Sequence, residues 1–367
     1  MDKLEIIDPK FETTVFVDMP LLIPISLLEP ENDKREEPNG LIITGIPLEL
    51  VESIFMNLHP LELYCCYGVS KGIRRIVKKK LMNPKTLGVY ISDKVCVVFS
   101  DGMYTKYNKE VGGSGYGYGT YEKNEYGNYM EDDIPFEINE RTGFLKNVKY
   151  DQAGFNVFVS ILTYPGNHLK ELSIRVKDGC NPNKFIAKIE KALVSLNKKL
   201  RVAIVRLMHV TPKQVMRILS YLKPKTLKKI FIHENAYAEQ DNETMRKMTR
   251  TEQFKQAATF KAFFSSTIPF RKFLHLGHFL IFRKKMTARE IVSIRNSMLE
   301  HQHIQEIEVV IEDVTFDLGI ARRVLGPYTP DPTDPDGGFY HGPTGVIKIL
   351  MDRDDGSPSL FMIRWSE

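Results

Sequence analysis

The 367-residue chain is predicted to be a mixed α/β protein. A short three-helix unit stands near its front, and a degenerate strand–helix repeat domain follows. Three observations predict this. Apolar residues in 46–77 recur at helical spacing in three short segments. From residue 155, strand-like apolar runs alternate with helical patterns. Helix-start signals punctuate that alternation, and the caps at Asn181 and Thr211 lie 30 residues apart.

Residues 1–40 read as a flexible leader, with a charged stretch from Glu31 to Gly40 that carries Pro38. Residues 41–82 hold the three helices. Leu50, Val51, Ile54, Phe55 and Leu58 make one apolar face, and Pro47 suits the first turn, where its missing N–H costs nothing. Pro60 opens a second short helix around Leu63, and Gly68 breaks it. Ser70 caps a third helix that aligns Ile73, Ile76 and Val77. A unit well below about 70 residues buries too little by itself, so its leftover apolar face is expected to serve a partner or a larger body.

Residues 83–154 read as a β-hairpin and a Gly/Tyr-rich linker. Leu87 to Phe99 is expected to turn near Asp93. The glycines between Gly112 and Gly119 precede a polar, aromatic stretch without helical period. That is no phosphate cradle, so a flexible insertion between strands is expected. In residues 155–367 the expected strands are 172–176, 202–207, 228–232, 259–263, 279–282 and 307–311. Thr211-Pro212-Lys213-Gln214 and Thr287-Ala288-Arg289-Glu290 read as capping boxes for the helices between them. Such units bury their apolar faces against their neighbours, which predicts a leucine-rich-repeat-like stack with a parallel sheet on one side and helices on the other. Gly326 to Pro343 holds five prolines and reads as a surface loop, too proline-rich for a strand. Val346–Leu350 and Leu360–Ile363 flank a turn cluster at 354–358 and read as a terminal hairpin that extends or closes the sheet.

Composition narrows the function classes. The net charge of +5 is mild, and 43% hydrophobic residues suit a globular chain. No apolar run approaches a membrane span, and the N-terminus lacks the pattern of a signal peptide. Cys65, Cys66, Cys96 and Cys180 form no C-x-x-C pair and read as reduced thiols of a cytoplasmic or nuclear protein. Lys71 to Lys80 holds six basic residues but no interleaved aromatic for base stacking. It reads as a solvated helix face, and nucleic acid is not the expected partner. His275 with His278, and His301 with His303, are the close histidine pairs, and neither has the support a zinc site needs. Glu306, Glu308, Glu312 and Asp313 alternate with Ile307, Val309 and Ile311, an acidic strand face suited to charge complementarity with a partner. No G-x-S-x-G, H-E-x-x-H or P-loop occurs, so no catalytic residue, metal or cofactor is expected.

Two stretches resemble known families. Ile46-Pro47-Leu48-Glu49-Leu50-Val51, then Ile54-Phe55, Leu58 and Pro60, then Val69-Ser70-Lys71 with Ile73, resembles an F-box in order and spacing. The resemblance implies binding to a Skp-type adaptor and, through it, to a cullin–RING ubiquitin ligase. The adaptor-binding residues it implies are Ile46, Pro47, Leu50, Val51, Ile54, Leu58, Pro60, Leu63, Val69 and Ile73. Further on, Leu222-Lys223-Pro224-Lys225-Thr226-Leu227-Lys228-Lys229-Ile230 resembles a step of the FTH (DUF38) domain of nematode F-box A proteins. Gln253-Phe254-Lys255-Gln256-Ala257 resembles its Gln-Trp-Lys-x-Ala element, with Phe254 in place of the tryptophan. Phe273 to Phe282, Met286-Thr287 and Arg295-Asn296 continue the likeness, over about residues 155–350. Together they imply a non-catalytic receptor subunit that binds an unidentified protein substrate. The alternative is a non-degradative tether for a regulatory or RNA-binding protein.

Overall fold

A computed structural model of the protein describes residues 4–6, 15–17, 50, 53–55, 58, 63, 66, 71–78, 84–120, 143–164, 168–177, 183–196, 198–233, 242–313, 323, 325, 329–331, 334–342, 345–354 and 357–365. The chain is mixed α/β and divides into two compact units, Met1–Arg201 and Val202–Glu367.

In the first unit, β1 (Leu4–Ile6) and β2 (Val15–Val17) form a separate antiparallel pair. Helix α1 (Lys71–Lys78) belongs to the front helical segment. The sheet of this unit is a meander of β3 (Thr86–Ile91), β4 (Val95–Ser100), β5 (Met103–Glu110), β6 (Gly113–Thr120) and β7 (Gly143–Lys146). Strand β8 (His168–Val176) joins β3 in parallel. The β4–β5 turn is the two-residue loop Asp101-Gly102, with φ of 48° and 84°. Two successive positive φ values match the right-handed twist of the flanking strands and suit an Asp-Gly pair. The Asp101 carboxylate also accepts from the Thr86 N–H at 2.8 Å, which ties the turn to the start of β3.

Helix α2 (Tyr150–Leu162) packs on β3, β4 and β5. Its approach requires glycine at 154, where a Cβ would stand 2.4 Å from the Cys96 Sγ. Helix α3 (Asn183–Ser195) buries Phe185, Ile186, Ile189, Ala192 and Leu193 at helical period. It meets α2 where Phe155 and Phe185 pack edge to face at 5.7 Å.

The glycine cluster corrects an expectation. Residues 113–120 are strand β6, paired along its whole length with β5, and not a flexible insertion. Glycines 113, 115, 117 and 119 alternate with Ser114, Tyr116, Tyr118 and Thr120, and a period of two is a strand pattern whatever the glycine content. Ser114 donates to the Val148 carbonyl, and Tyr116 faces Tyr107 across the pair at 6.3 Å. The following Tyr121–Tyr129 stretch lies outside the described residues.

The second unit is built on five parallel strands: β9 (Arg201–Met208), β10 (Lys229–His233), β11 (Thr259–Ser265), β12 (His278–Arg283) and β13 (Glu306–Ile311). The six runs expected as strands are therefore β8 to β13. The connections carry α4 (Pro212–Ser220), α5 (Asn242–Met248), α6 (Glu252–Lys255) and α7 (Ala288–Glu300). Between β11 and β12 a single 3-10 turn, Phe270–Lys272, is the regular element. Both expected capping boxes are present. Thr211 N–H donates to the Gln214 Oε1 at 2.8 Å, and Thr287 N–H to the Glu290 Oε2 at 2.9 Å.

The terminal hairpin, β16 (Gly345–Asp354) and β17 (Ser357–Trp365), extends this sheet, with β17 antiparallel to β13. A second expectation fails beside it. Gly326–Pro343 is not merely a loop: it contains β14 (Thr329–Asp331) and β15 (Asp334–Gly342), which continue the sheet to an edge. Pro330 lies in the edge strand and Pro335 near the start of β15, positions where the lost N–H breaks little of the ladder.

Candidate protein-docking surfaces

The front helical segment divides its apolar residues between inside and outside. Leu63, Cys66, Ile73 and Val77 are buried together, with Phe55 and Leu58 half-buried against them. Leu50 and Ile54, four residues apart and both helical, are 56% and 44% exposed. Of the ten residues expected to bind an adaptor, Leu50 and Ile54 thus face outward, and Leu58 stands at the boundary. Leu63 and Ile73 lie in the segment's own core. Ile46, Pro47, Val51, Pro60 and Val69 lie outside the described residues. On α1, Arg74, Arg75 and Lys78 are exposed while Ile73, Ile76 and Val77 are buried, the arrangement of a solvated helix face.

The parallel sheet of the second unit offers another surface. Its register aligns side chains in rows across the strands, because paired residues of parallel strands point to the same face. One face is apolar and sealed: Val205, Leu207, Ile230, Ile232, Phe260, Ala262, Phe279, Ile281, Ile307 and Val309 are all buried. Phe254 from α6 and Phe273 pack with Phe260 and Phe279 on that side, with ring centroids 5.1 to 5.9 Å apart.

The opposite face is mixed and mostly half-exposed. One row runs Lys229, Thr259, His278, Glu306, and the next runs Arg206, Phe231, Lys261, Leu280, Glu308. A third carries Met208, His233 and Phe263, with Phe282 and Val310 beyond a register shift in β11. Aromatic rings gather towards the C-terminal ends of these strands. His233 and Phe263 stack at 3.9 Å and 12°, and Phe282 stands 6.1 Å from Phe263. The Arg206 guanidinium lies 4.2 Å over Phe231.

Charge is uneven on this face. Glu306 receives both the Lys261 ammonium at 3.3 Å and the His278 Nδ1 at 3.4 Å. Burial pushes the Glu308 carboxyl above its ordinary range, with Lys261 opposing and Glu306 adding to the rise. Among the described residues no hydrogen bond or ion pair reaches Glu308. Of the acidic strand face expected from the sequence, Glu306 and Glu308 lie on β13 in unlike surroundings, while Glu312 and Asp313 follow the end of the strand.

The histidine pairs serve local structure. His275 and His303 ring nitrogens meet the carbonyls of Phe254 and Leu274 at 3.0 and 2.7 Å. His301 meets the Ser297 carbonyl at 2.9 Å, near the C-terminus of α7. Among the described residues no three His, Cys, Asp or Glu side chains converge as a metal site would require. Nor is any described helix long and apolar enough to cross a membrane.

Two arginines, Arg283 buried and Arg364 half-buried, hold structure that the sequence motifs do not point to. Arg283 donates to the carbonyls of Ser266 and Ile268 and lies 4.4 Å over the Phe270 ring, while burial lowers its pKa. Arg364 on β17 donates to the carbonyls of Met298, His301 and Ile304 at the end of α7. The available signal was a lone arginine closing an apolar strand run.

Residues 183–327 match the FTH domain. No curated protein and no solved structure matches the chain.

Proposed function

We propose that the chain is the substrate-recognition subunit of a Skp–cullin–F-box type ubiquitin ligase, working in the cytoplasm or nucleus. It performs no chemistry. The front segment binds a Skp-type adaptor, and the C-terminal domain, read as a leucine-rich-repeat-like stack, binds the target. Holding the target beside a ubiquitin-loaded enzyme raises effective concentration, which is the whole of its contribution to rate.

One observation carries this reading. An FTH domain, of a family tied to F-box proteins, follows an F-box-like run whose Leu50 and Ile54 are left in water. Burying one such side chain is worth about 1.5–3 kcal/mol. Micromolar binding amounts to roughly 8 kcal/mol. Two residues therefore supply a large share of a micromolar contact.

The test is a pull-down of the adaptor by the full chain. Leu50→Asp with Ile54→Asp is expected to abolish capture without unfolding the protein, since both side chains are exposed. Undiminished capture by the double variant overturns the reading.

A further inference from the structure

We propose that the half-exposed face of the parallel sheet docks an amphipathic helix of the protein target, with a basic flank over Glu308 and an acidic flank over Lys229. This rests on the receptor reading above and names the surface and the chemistry of what it receives.

The backbone of the five strands is already paired within the sheet, so this face offers side chains alone. A partner lying on it must satisfy its own backbone, and a helix does so. Under that helix the apolar contact is Phe263 on β11, 36% exposed, with Phe282 on β12, and the His233 ring on β10 stacks against Phe263 at its side.

The flanks differ in sign. Lys229 on β10 is exposed, and Glu308 on β13 is half-buried with no direct ion pair among the described residues, since Lys261, which acts on it only through space, is bonded to Glu306. Strands β10 and β13 are three steps apart, roughly 14–15 Å at the usual strand spacing. A helix with its side chains is about 10–12 Å across. One helix laid along the strands over β11 and β12 therefore reaches both flanks. An arginine there would give Glu308 the ion pair it lacks, in a site where burial strengthens such a bond.

The experiment uses fluorescence anisotropy with the full chain and two synthetic 18-residue helices. Both carry a leucine stripe. One has glutamates on one flank and arginines on the other, and the second has glutamates on both. The first is expected to bind the wild-type chain at least tenfold tighter than the second. Glu308→Lys is expected to reverse that order, Glu308→Gln to erase it, and Phe263→Ala to weaken both peptides at least fivefold. Circular dichroism of each variant guards against unfolding.

Binding of neither peptide, or affinities indifferent to the charge at 308, overturns the proposal. So does sedimentation showing self-association that Phe263→Asp abolishes, since a second copy would then cover the face. No adaptor is present, so loss of adaptor capture in the other test leaves this result standing, and failure here leaves adaptor docking intact.

Discussion

Single residues in this protein carry more than their chemistry suggests. Glu308 is the clearest case, since burial raises its carboxyl pKa. Between the ordinary carboxylate range and that raised value, the folded chain holds a proton that the unfolded chain releases. Stability therefore falls as pH climbs through that window. Glu308→Gln removes the titration while keeping shape. It is expected to melt higher than wild type at neutral pH, with the gap closing in acid, as thermal denaturation at several pH values would measure. A lower melting point at neutral pH would mean that the carboxylate has a stabilising partner. Gly154 acts by absence. Without a side chain, α2 sits against Cys96 and Tyr107, and the thiol it covers is pushed far above its ordinary pKa by burial. Such a thiol is a small hydrophobe and not a nucleophile.

At the scale of elements, the helices of the second unit are set by their first turns. Thr287 and Glu290 satisfy each other's backbone N–H groups at the start of α7. Thr287→Ala is expected to cost about 1 kcal/mol, read as a shift in the denaturation midpoint with an unchanged slope. Thr287→Ser is expected to recover most of it. The motif-like stretches have the same kind of origin. Leu222 and Gln253 belong to two separate stretches of the FTH likeness. The buried Gln253 amide donates to the Leu222 carbonyl at 3.0 Å, across 31 residues. A glutamine is needed there because an unmatched carbonyl at a buried chain turn is costly. Phe254, beside it, fills the interior space against Phe260, Phe273 and His275.

At the scale of the molecule, the second unit ends by using its last strands to close an exposed flank. Strand β17 pairs with β13, and Arg364 binds three carbonyls at the end of α7. Deleting residues 345–367 would leave the β13 edge as a bare row of donors and acceptors. The truncated protein is expected to aggregate or elute as large oligomers on size exclusion. A monodisperse truncation with unchanged melting would show the hairpin to be dispensable. The expected function scales likewise: a receptor needs two surfaces that work independently, so the adaptor and peptide tests address separate parts of one chain.

Much of the architecture was legible in the sequence because it rests on local rules. The strand runs from 172 to 311, the two capping boxes and the terminal hairpin follow from periodicity of apolar residues and from side chains that satisfy nearby backbone groups. Two readings failed where a local rule was weighed by composition. By composition the glycines at 113–119 suggest freedom, although their alternation with Ser, Tyr and Thr is what a strand requires. By composition the prolines at 330 and 335 argue against strands, although an edge strand tolerates the first and the start of β15, where residue 335 pairs with neither neighbouring strand, the second. What only the tertiary structure decided is the state of each surface residue. Periodicity places Leu50 and Ile73 alike on apolar helix faces, yet one is in water and the other in a core, because burial depends on which segments meet in space. For the same reason no spacing rule separates Glu306, which Lys261 and His278 reach from β11 and β12, from Glu308, which no ion pair or hydrogen bond reaches among the described residues. Pairing across strands is a long-range outcome, and charge on the sheet face is settled there.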